Sequence, residues 1–274
     1  MQVCFKNAVQ QRSVDVMDRA FHYGDGCFST VAVVDDVVLL QQRHFDRLKS
    51  AAERLLLHFD DGLIAHSLEQ LRLKCGALNG SLKMLISRGV GQRGYSLPEQ
   101  PADFYLFYYP NQRRELSMEY IESGVLQAQM GLRTAQLVGV KSLNCLEQVL
   151  FKHEADQNQW PEALVTDLKQ HVVEGVSSNC FLYIDEIWVS PLLSDNGVHG
   201  VMRAEILQRM QQLQLHYQLR HVDVAEIAQV QSLFFCNALA PMKIVQKLQQ
   251  RDLAIQPCVE LFNTLQLNQL DSYA

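Results

Sequence analysis

The sequence predicts an α/β protein of α+β-like character, with mixed sheets, packed helices and two domains. Three observations lead there. Short runs of β-branched and aromatic residues recur along the chain and are joined by tight turns, which indicates largely antiparallel or mixed sheets. Segments with helical apolar spacing lie between them. The chain has 274 residues, enough for one large or two ordinary domains. The polar, charged stretch from Pro110 to Glu115 marks the linker, dividing the chain into domains over residues 1–112 and 117–274.

In order, Val3 to Phe5 reads as a strand ending in a turn at Lys6-Asn7. Cys27 to Val34, the Asp35-Asp36 turn and Val37 to Leu40 form a hairpin. An amphipathic helix follows, with Phe45, Leu48, Ala52, Leu55 and Phe59 on one face and a second stripe of Arg43, Arg47, Ser50 and Arg54. Leu63 to Leu78 is a helix closed by Asn79-Gly80. Leu82 to Ser87 and Asp103 to Tyr109 are strands flanking the glycine-rich loop Arg88 to Tyr95. Further strands are expected at Gly124 to Met130, Ala163 to Thr166, Val172 to Glu174, Cys180 to Ile184, Ile187 to Ser190 and Leu233 to Cys236. Met202 to Leu213 and Cys258 to Leu270 are the last two helices.

Hydrophobic residues at 48% and charged residues at 20% are the balance of a globular protein. A net charge of −6 argues against a nucleic-acid footprint, which needs clustered Lys and Arg, but leaves room for a local anion pocket. The seven cysteines are scattered with no C-x-x-C pair, which speaks against a disulfide framework or a structural metal site. Residues 1–7 lack the apolar core of a signal peptide, and no apolar run approaches the ~20 residues needed to span a bilayer. A cytoplasmic location without a membrane partner is the expectation.

Four features and one lysine carry candidate chemistry. Lys141 precedes Leu143, Leu146 and Leu150, which recur at helical spacing, so the lysine is expected where the chain enters a helix. An amine held still and desolvated there suits a Schiff base, although most such lysines are solvated. Glu174 ends a β-run before Gly175-Val176-Ser177-Ser178-Asn179. It reads either as a loop carboxylate or as the partner of a buried cationic nitrogen. Gly197-Val198-His199-Gly200 leads into a helix at Val201-Met202, either a plain connection or a phosphate-binding helix start. Cys236-Asn237-Ala238-Leu239 is an ordinary strand-ending turn or a source of further donors. The Arg88 to Tyr95 loop is either a surface loop or a carboxylate clamp. No dinucleotide fingerprint, Walker A, G-x-S-x-G or metal-ligand spacing is present.

Taken together these pieces resemble the fold-type IV pyridoxal-phosphate enzymes, which include branched-chain aminotransferases, D-amino-acid aminotransferases and 4-amino-4-deoxychorismate lyases. Tyr23-Gly24-Asp25-Gly26-Cys27-Phe28 is similar to the family's Y/F-G-D-G motif, and His44-Phe45-Asp46-Arg47-Leu48 to its H-x-x-R-L helix. The motifs run in family order from Asp18-Arg19-Ala20 to Asn237-Ala238, almost the whole chain.

The resemblance implies a two-domain fold with pyridoxal 5'-phosphate at the domain interface and Lys141 as its Schiff-base and acid/base residue. Glu174 would pair with the pyridine nitrogen. Arg47 would bind the phosphate, with the backbone of Val201 and Met202 and the Asn237-Ala238 turn, while Ser178 and Asn179 would line the cofactor edge. Leu146-Glu147-Gln148-Val149-Leu150, Cys236-Asn237-Ala238-Leu239 and Ser29-Thr30 after Phe28 are more similar to the lyases, where aminotransferases carry an acidic residue after the motif. The implied reaction converts 4-amino-4-deoxychorismate to 4-aminobenzoate and pyruvate, a step toward folate. Thr30 would aid proton handling, and Arg93, Tyr95 and Phe28 would meet the substrate. A homodimer with shared sites is implied. Ala32 departs from the pattern, since many relatives carry arginine there. A D-amino-acid or branched-chain-type aminotransferase, and a non-catalytic cofactor-binding or scaffold homodimer, are the alternatives.

Overall fold

The structure is a computed structural model that describes residues 3–111 and 116–270. Contacts divide these into two compact units, one formed by residues 3–111 with Val140–Asn144, the other by Leu116–Gly139 with Cys145–Leu270. Residues 112–115 of the expected linker lie outside the described residues.

The first unit contains β1 (Val3–Lys6), β2 (Val9–Gln10), α1 (Arg19–Tyr23), β3 (Gly26–Val34), β4 (Val37–Val38), α2 (Gln41–Arg54), α3 (Gly62–Cys75), β5 (Gly80–Ser87) and β6 (Asp103–Pro110). Its six strands form one antiparallel sheet in the order β2-β1-β6-β5-β3-β4. Both tight hairpins turn on paired left-handed residues, Asn7-Ala8 and Asp35-Asp36, the backbone that matches the twist of the flanking strands. Alternation along β3 sends Cys27, Val31 and Val33 into a core with Leu48 and Ala52 of α2, and Leu68 and Leu71 of α3. Phe28, Thr30 and Ala32 therefore lie on the opposite face.

The second unit contains β7 (Met118–Ser123), β8 (Val125–Met130), α4 (Leu146–Gln157), β9 (Leu164–Asp167), β10 (Val172–Gly175), β11 (Asn179–Ile184), β12 (Ile187–Pro191), α5 (Val201–Gln212), β13 (Tyr217–Arg220), β14 (Ser232–Asn237), β15 (Ala240–Leu248), β16 (Arg251–Asp252) and α6 (Gln256–Thr264). A short sheet runs β10-β9-β8, and a larger one runs β13-β12-β11-β14-β15-β16 with β7 parallel to β15. Phe181, Phe234 and Phe235 are fully buried in the larger sheet, the first two stacked with centroids 4.9 Å apart. Both sheets are mixed, each with parallel and antiparallel pairs. Among the described residues, no helix is long and apolar enough to cross a membrane.

Several expected boundaries move. The helix α2 stops at Arg54, so Leu55 and Phe59 reach the core from the loop that follows, where Leu56 turns through positive φ. Gly76 rather than Asn79-Gly80 ends α3, and α6 closes at Thr264 rather than Leu270. Strands β7, β13 and β15 were not expected from the sequence. All three carry charged or amide side chains that interrupt a simple β pattern, and pairing with a neighbouring strand decides their state.

The expectation for Lys141 is also overturned. Helix α4 begins at Leu146, and Lys141 lies before it on an extended segment. Cys27 and Ser142 form an antiparallel bridge, Phe28 N–H donates to the Lys141 carbonyl at 3.0 Å, and Leu143 N–H donates to that of Gly26 at 3.0 Å. The leucine spacing misled because it does not mark the buried face: Leu146 and Leu150 are exposed, and α4 buries Phe151 and Ala155.

Candidate active site

The first unit assembles its candidate residues around the start of β3. Asp18 caps α1 by accepting from Ala20 N–H at 2.8 Å, and Gly24 closes it with φ +63°. A Cβ on Gly24 would meet Asn144 Oδ1 at 2.2 Å, so only glycine leaves room for the Lys141 segment to pack there. Asp25 accepts from Arg19 Nε and Arg88 Nε, each at 2.8 Å. Burial opposes ionisation of Asp25, but the hydrogen bonds and charges of Arg88 and Arg19 outweigh it and hold the carboxyl below its ordinary range. Arg88 also donates to the carbonyls of Leu55 and Leu56, so this arginine of the glycine-rich loop is a brace.

On one face of β3, the Lys141 Nζ lies 4.7 Å from the Phe28 ring centroid, a cation–π contact. Thr30 follows two residues on, on that same face. On the other face Arg47 donates to Ser29 Oγ at 2.5 Å, and Ser29 Oγ lies 2.6 Å from His44 Nδ1. The hydroxyl accepts from the guanidinium and shares one hydrogen with Nδ1, with the direction set by the His44 tautomer. Burial first, then the Arg47 charge, holds His44 well below its ordinary value.

Arg93 and Tyr95 are brought to a different place. Tyr95 is 87% exposed and rests on Tyr23 with centroids 5.6 Å apart. Arg93 is exposed and lines a pocket of about 200 Å³ with Met17, Arg19, His22 and Tyr23. The loop is held by Arg19, which donates to Gly94 O at 2.8 Å, and by Gly94 N–H, which donates to Tyr23 Oη at 3.0 Å.

In the second unit, Glu174 is buried near the end of β10. It accepts from Val198 N–H at 2.9 Å and from Asn179 Nδ2 at 3.2 Å. Asn179 Nδ2 also donates to the Val198 carbonyl at 2.9 Å, and a Cβ on Gly200 would strike Asn179 Oδ1 at 2.0 Å. Gly200 begins α5 with no side-chain cap, which leaves the N–H groups of Val201 and Met202 at the helix start. Asn237 Oδ1 accepts from Leu239 and Ala240 N–H at 3.0 Å each, while its amide donates to Ser178 Oγ at 3.0 Å.

Glu162 is a buried residue that sequence reasoning missed. Its carboxylate accepts from Ser177 N–H at 2.9 Å and from the Ser177 and Ser178 hydroxyls at 2.8 Å, with Lys243 Nζ at 3.8 Å. The only signal was an acidic residue directly before an apolar strand, too common to single out.

With this geometry in view, a family profile described as amino-transferase class IV matches residues 26–248. The chain belongs to that family. An aminodeoxychorismate lyase of Vibrio harveyi is 30% identical over 237 residues, covering 85% of this chain and 86% of that protein. A crystal structure titled 4-amino-4-deoxychorismate lyase from Pseudomonas aeruginosa superposes with a TM-score of 0.84 at 30% identity, covering 96% of this chain and 98% of that one. A D-alanine aminotransferase of Bacillus licheniformis is 26% identical over 250 residues, covering 88% of this chain and 86% of that protein.

As a class IV member the protein is a pyridoxal-phosphate-dependent enzyme acting on an amino-acid-type substrate. The residues fit that cofactor. Among the described residues, Arg47 Nε is a buried polar atom with no hydrogen-bond partner, as a group that binds an absent anion would be. Burial pulls the Arg47 guanidinium down to about 10, a penalty that a phosphate at Nε would offset. Within the second unit, Glu174 is a buried carboxylate of the kind that could hold a cationic ring nitrogen, and the uncapped start of α5 offers N–H groups that could hold a phosphate.

Proposed function

We propose that this enzyme is a lyase that converts 4-amino-4-deoxychorismate to 4-aminobenzoate and pyruvate, acting as a cytoplasmic homodimer that supplies a folate precursor. The observation that carries the reading is the setting of Lys141, whose ammonium rides over Phe28 on the face of β3 that also bears Thr30. A lysine held against a neutral aromatic can pass a proton between two atoms of one substrate. The aminotransferases resembled here carry an acidic residue after Phe28, where this chain has Ser29-Thr30.

Pyridoxal phosphate, when bound, supplies an electron sink for the pair left at the carbon that loses its proton. Lys141 Nζ removes the proton from the amine-bearing carbon. The bond from the ring to the enolpyruvyl oxygen then breaks, the ring becomes aromatic, and Lys141 returns its proton to the departing enolpyruvate, which becomes pyruvate. Atoms and protons balance with no further reactant. Thr30 assists that proton's movement. Arg47, the N–H groups of Val201 and Met202, and the Asn237-Ala238 turn bind the phosphate. Glu174 keeps the ring nitrogen protonated, with Asn179 holding its carboxylate and Ser178 bracing Asn237 beside it. Arg93 and Tyr95, on an exposed loop, contact the substrate carboxylate in the site of a second copy.

The test is incubation of the purified holoenzyme with 4-amino-4-deoxychorismate. Equal amounts of 4-aminobenzoate and pyruvate, formed without an added keto acid, are the expected outcome. Amino transfer that depends on a keto acid, with no 4-aminobenzoate formed, would replace the lyase by an aminotransferase of the kind named in the Bacillus relative.

A further inference from the structure

A chain of polar contacts within the second unit begins at Glu162 and ends at the Asn237-Ala238 turn. Glu162 lies just before β9, and its side chain is wholly buried. The carboxylate fits beneath the turn after β10 because Gly175 has no side chain there. A Cβ on Gly175 would come within 2.8 Å of Glu162 Oε1. Strand register brings the far end of the chain within reach. Asn179 is the Cα partner of Cys236, so Ser178 and Asn237, one step outward on each strand, lie opposite each other.

The hydrogens in this chain all point one way. A carboxylate offers acceptors only, so the Ser177 and Ser178 hydroxyls both donate to Glu162, each at 2.8 Å. Ser178 has no second hydrogen, and its oxygen meets Asn237 as an acceptor, with Asn237 Nδ2 donating at 3.0 Å. That turns Asn237 Oδ1 toward the Leu239 and Ala240 N–H groups, which donate to it at 3.0 Å each. The reversed amide would set its NH2 against two N–H donors. Lys243 Nζ, 3.8 Å from Glu162 Oε2, supplies the countercharge. A buried ion pair adds little stability over well-packed neutral side chains of similar size. What the charge contributes here is direction, because a neutral amide at the same place would present a donor to one of the serines.

We propose that Glu162 is a positioning residue for cofactor binding. Acting through Ser178, it fixes the orientation of the Asn237 amide and with it the backbone of the Asn237-Ala238 turn. The proposal rests on the assignment of that turn to the cofactor phosphate, and it holds for whichever reaction the enzyme catalyses. Glu162 is enclosed by the protein and acts only through its neighbours.

Dissociation constants for pyridoxal phosphate and for pyridoxal, which lacks the phosphate, test this without turnover. Each is read from cofactor absorbance as the full-length enzyme is reloaded. The wild type is expected to prefer the phosphorylated form. Glu162→Gln should lower that preference by about 10-fold, the range of one charge-assisted hydrogen bond, by weakening pyridoxal phosphate alone. Ser178→Ala should lower it equally, and the double variant no further, since both changes cut the same link. Ser177→Ala removes a similar contact to Glu162 but none to Asn237, and should keep the wild-type preference. Melting temperatures report the state of the fold, and Ser178→Ala carries the test if Glu162→Gln does not fold. A wild-type preference in Glu162→Gln or in Ser178→Ala overturns the role given to Glu162. Equal weakening of both forms also overturns it, since that is the signature of a structural prop, and so does an additive double variant. A wild-type preference in Asn237→Ala would instead overturn the assignment of the turn to the phosphate, and with it the route through Asn237.

Discussion

Arg47 and Glu174 are both buried-side charges, yet their surroundings differ in kind. Arg47 has one nitrogen tied to Ser29, while its buried Nε has no partner among the described residues. Glu174 is met by the Val198 N–H and the Asn179 amide, both aimed at Oε2. On the proposed reading, the guanidinium keeps one nitrogen for an anion, whereas the carboxylate is a fixed charge, oriented before anything binds. Preorganisation of the second kind costs no rearrangement during reaction.

Substitutions can break this contrast, and the largest effect is expected where neither side can substitute for the lost group. Lys141→Ala should lower turnover by at least about four orders of magnitude. The visible absorbance that attachment at Nζ gives the bound cofactor should vanish with it. An unchanged spectrum in this variant would remove Lys141 from the role assigned to it.

Glu174→Ala should keep the cofactor bound and lower kcat by about 100- to 1000-fold, the scale of losing one preorganised electrostatic contact. Equal turnover in variant and wild type would refute the fixed-charge reading. Arg47→Ala should act on affinity instead, weakening pyridoxal-phosphate binding by about 10- to 100-fold as a charge-assisted contact is lost. Here the dissociation constant is the readout, and an unaltered value would mean that the unpaired Nε serves some other purpose.

The smallest effect concerns His44 and stability. Its folded-state pKa is depressed, so below its ordinary value of 6.5 the unfolded chain binds a proton that the folded chain does not. Stability is therefore fully present above that value and falls as pH drops below it, by up to about 1.4 kcal/mol per pH unit. Denaturant melts from neutral to mildly acidic pH should show this slope, and His44→Gln should flatten it. A variant with the wild-type slope would assign the acid sensitivity to other groups.

Sequence alone went furthest where function demands a residue type at one point. Gly24 and Gly26 of the Y-G-D-G motif were legible because a Cβ at either would collide with a neighbour, Asn144 Oδ1 or the Ile86 carbonyl, at 2.2 Å. The hairpin at Asp35-Asp36 was legible from its turn residues. Helical spacing around Lys141 misled, because periodicity reports which residues line up on a helix and not which side meets the core. Leu146 and Leu150 line up and face away.

What the sequence by itself determined, then, is the family and its cofactor, since ordered motifs restrict residue types directly. What only tertiary structure decided is which side chains meet. Lys141 is set by bridging to β3 rather than by a helix, Arg88 is a brace rather than a ligand, and Glu162 organises two serines from distant positions. These contacts join residues far apart in the chain, and local spacing carries no information about strand register or side-chain hydrogen bonding across a sheet.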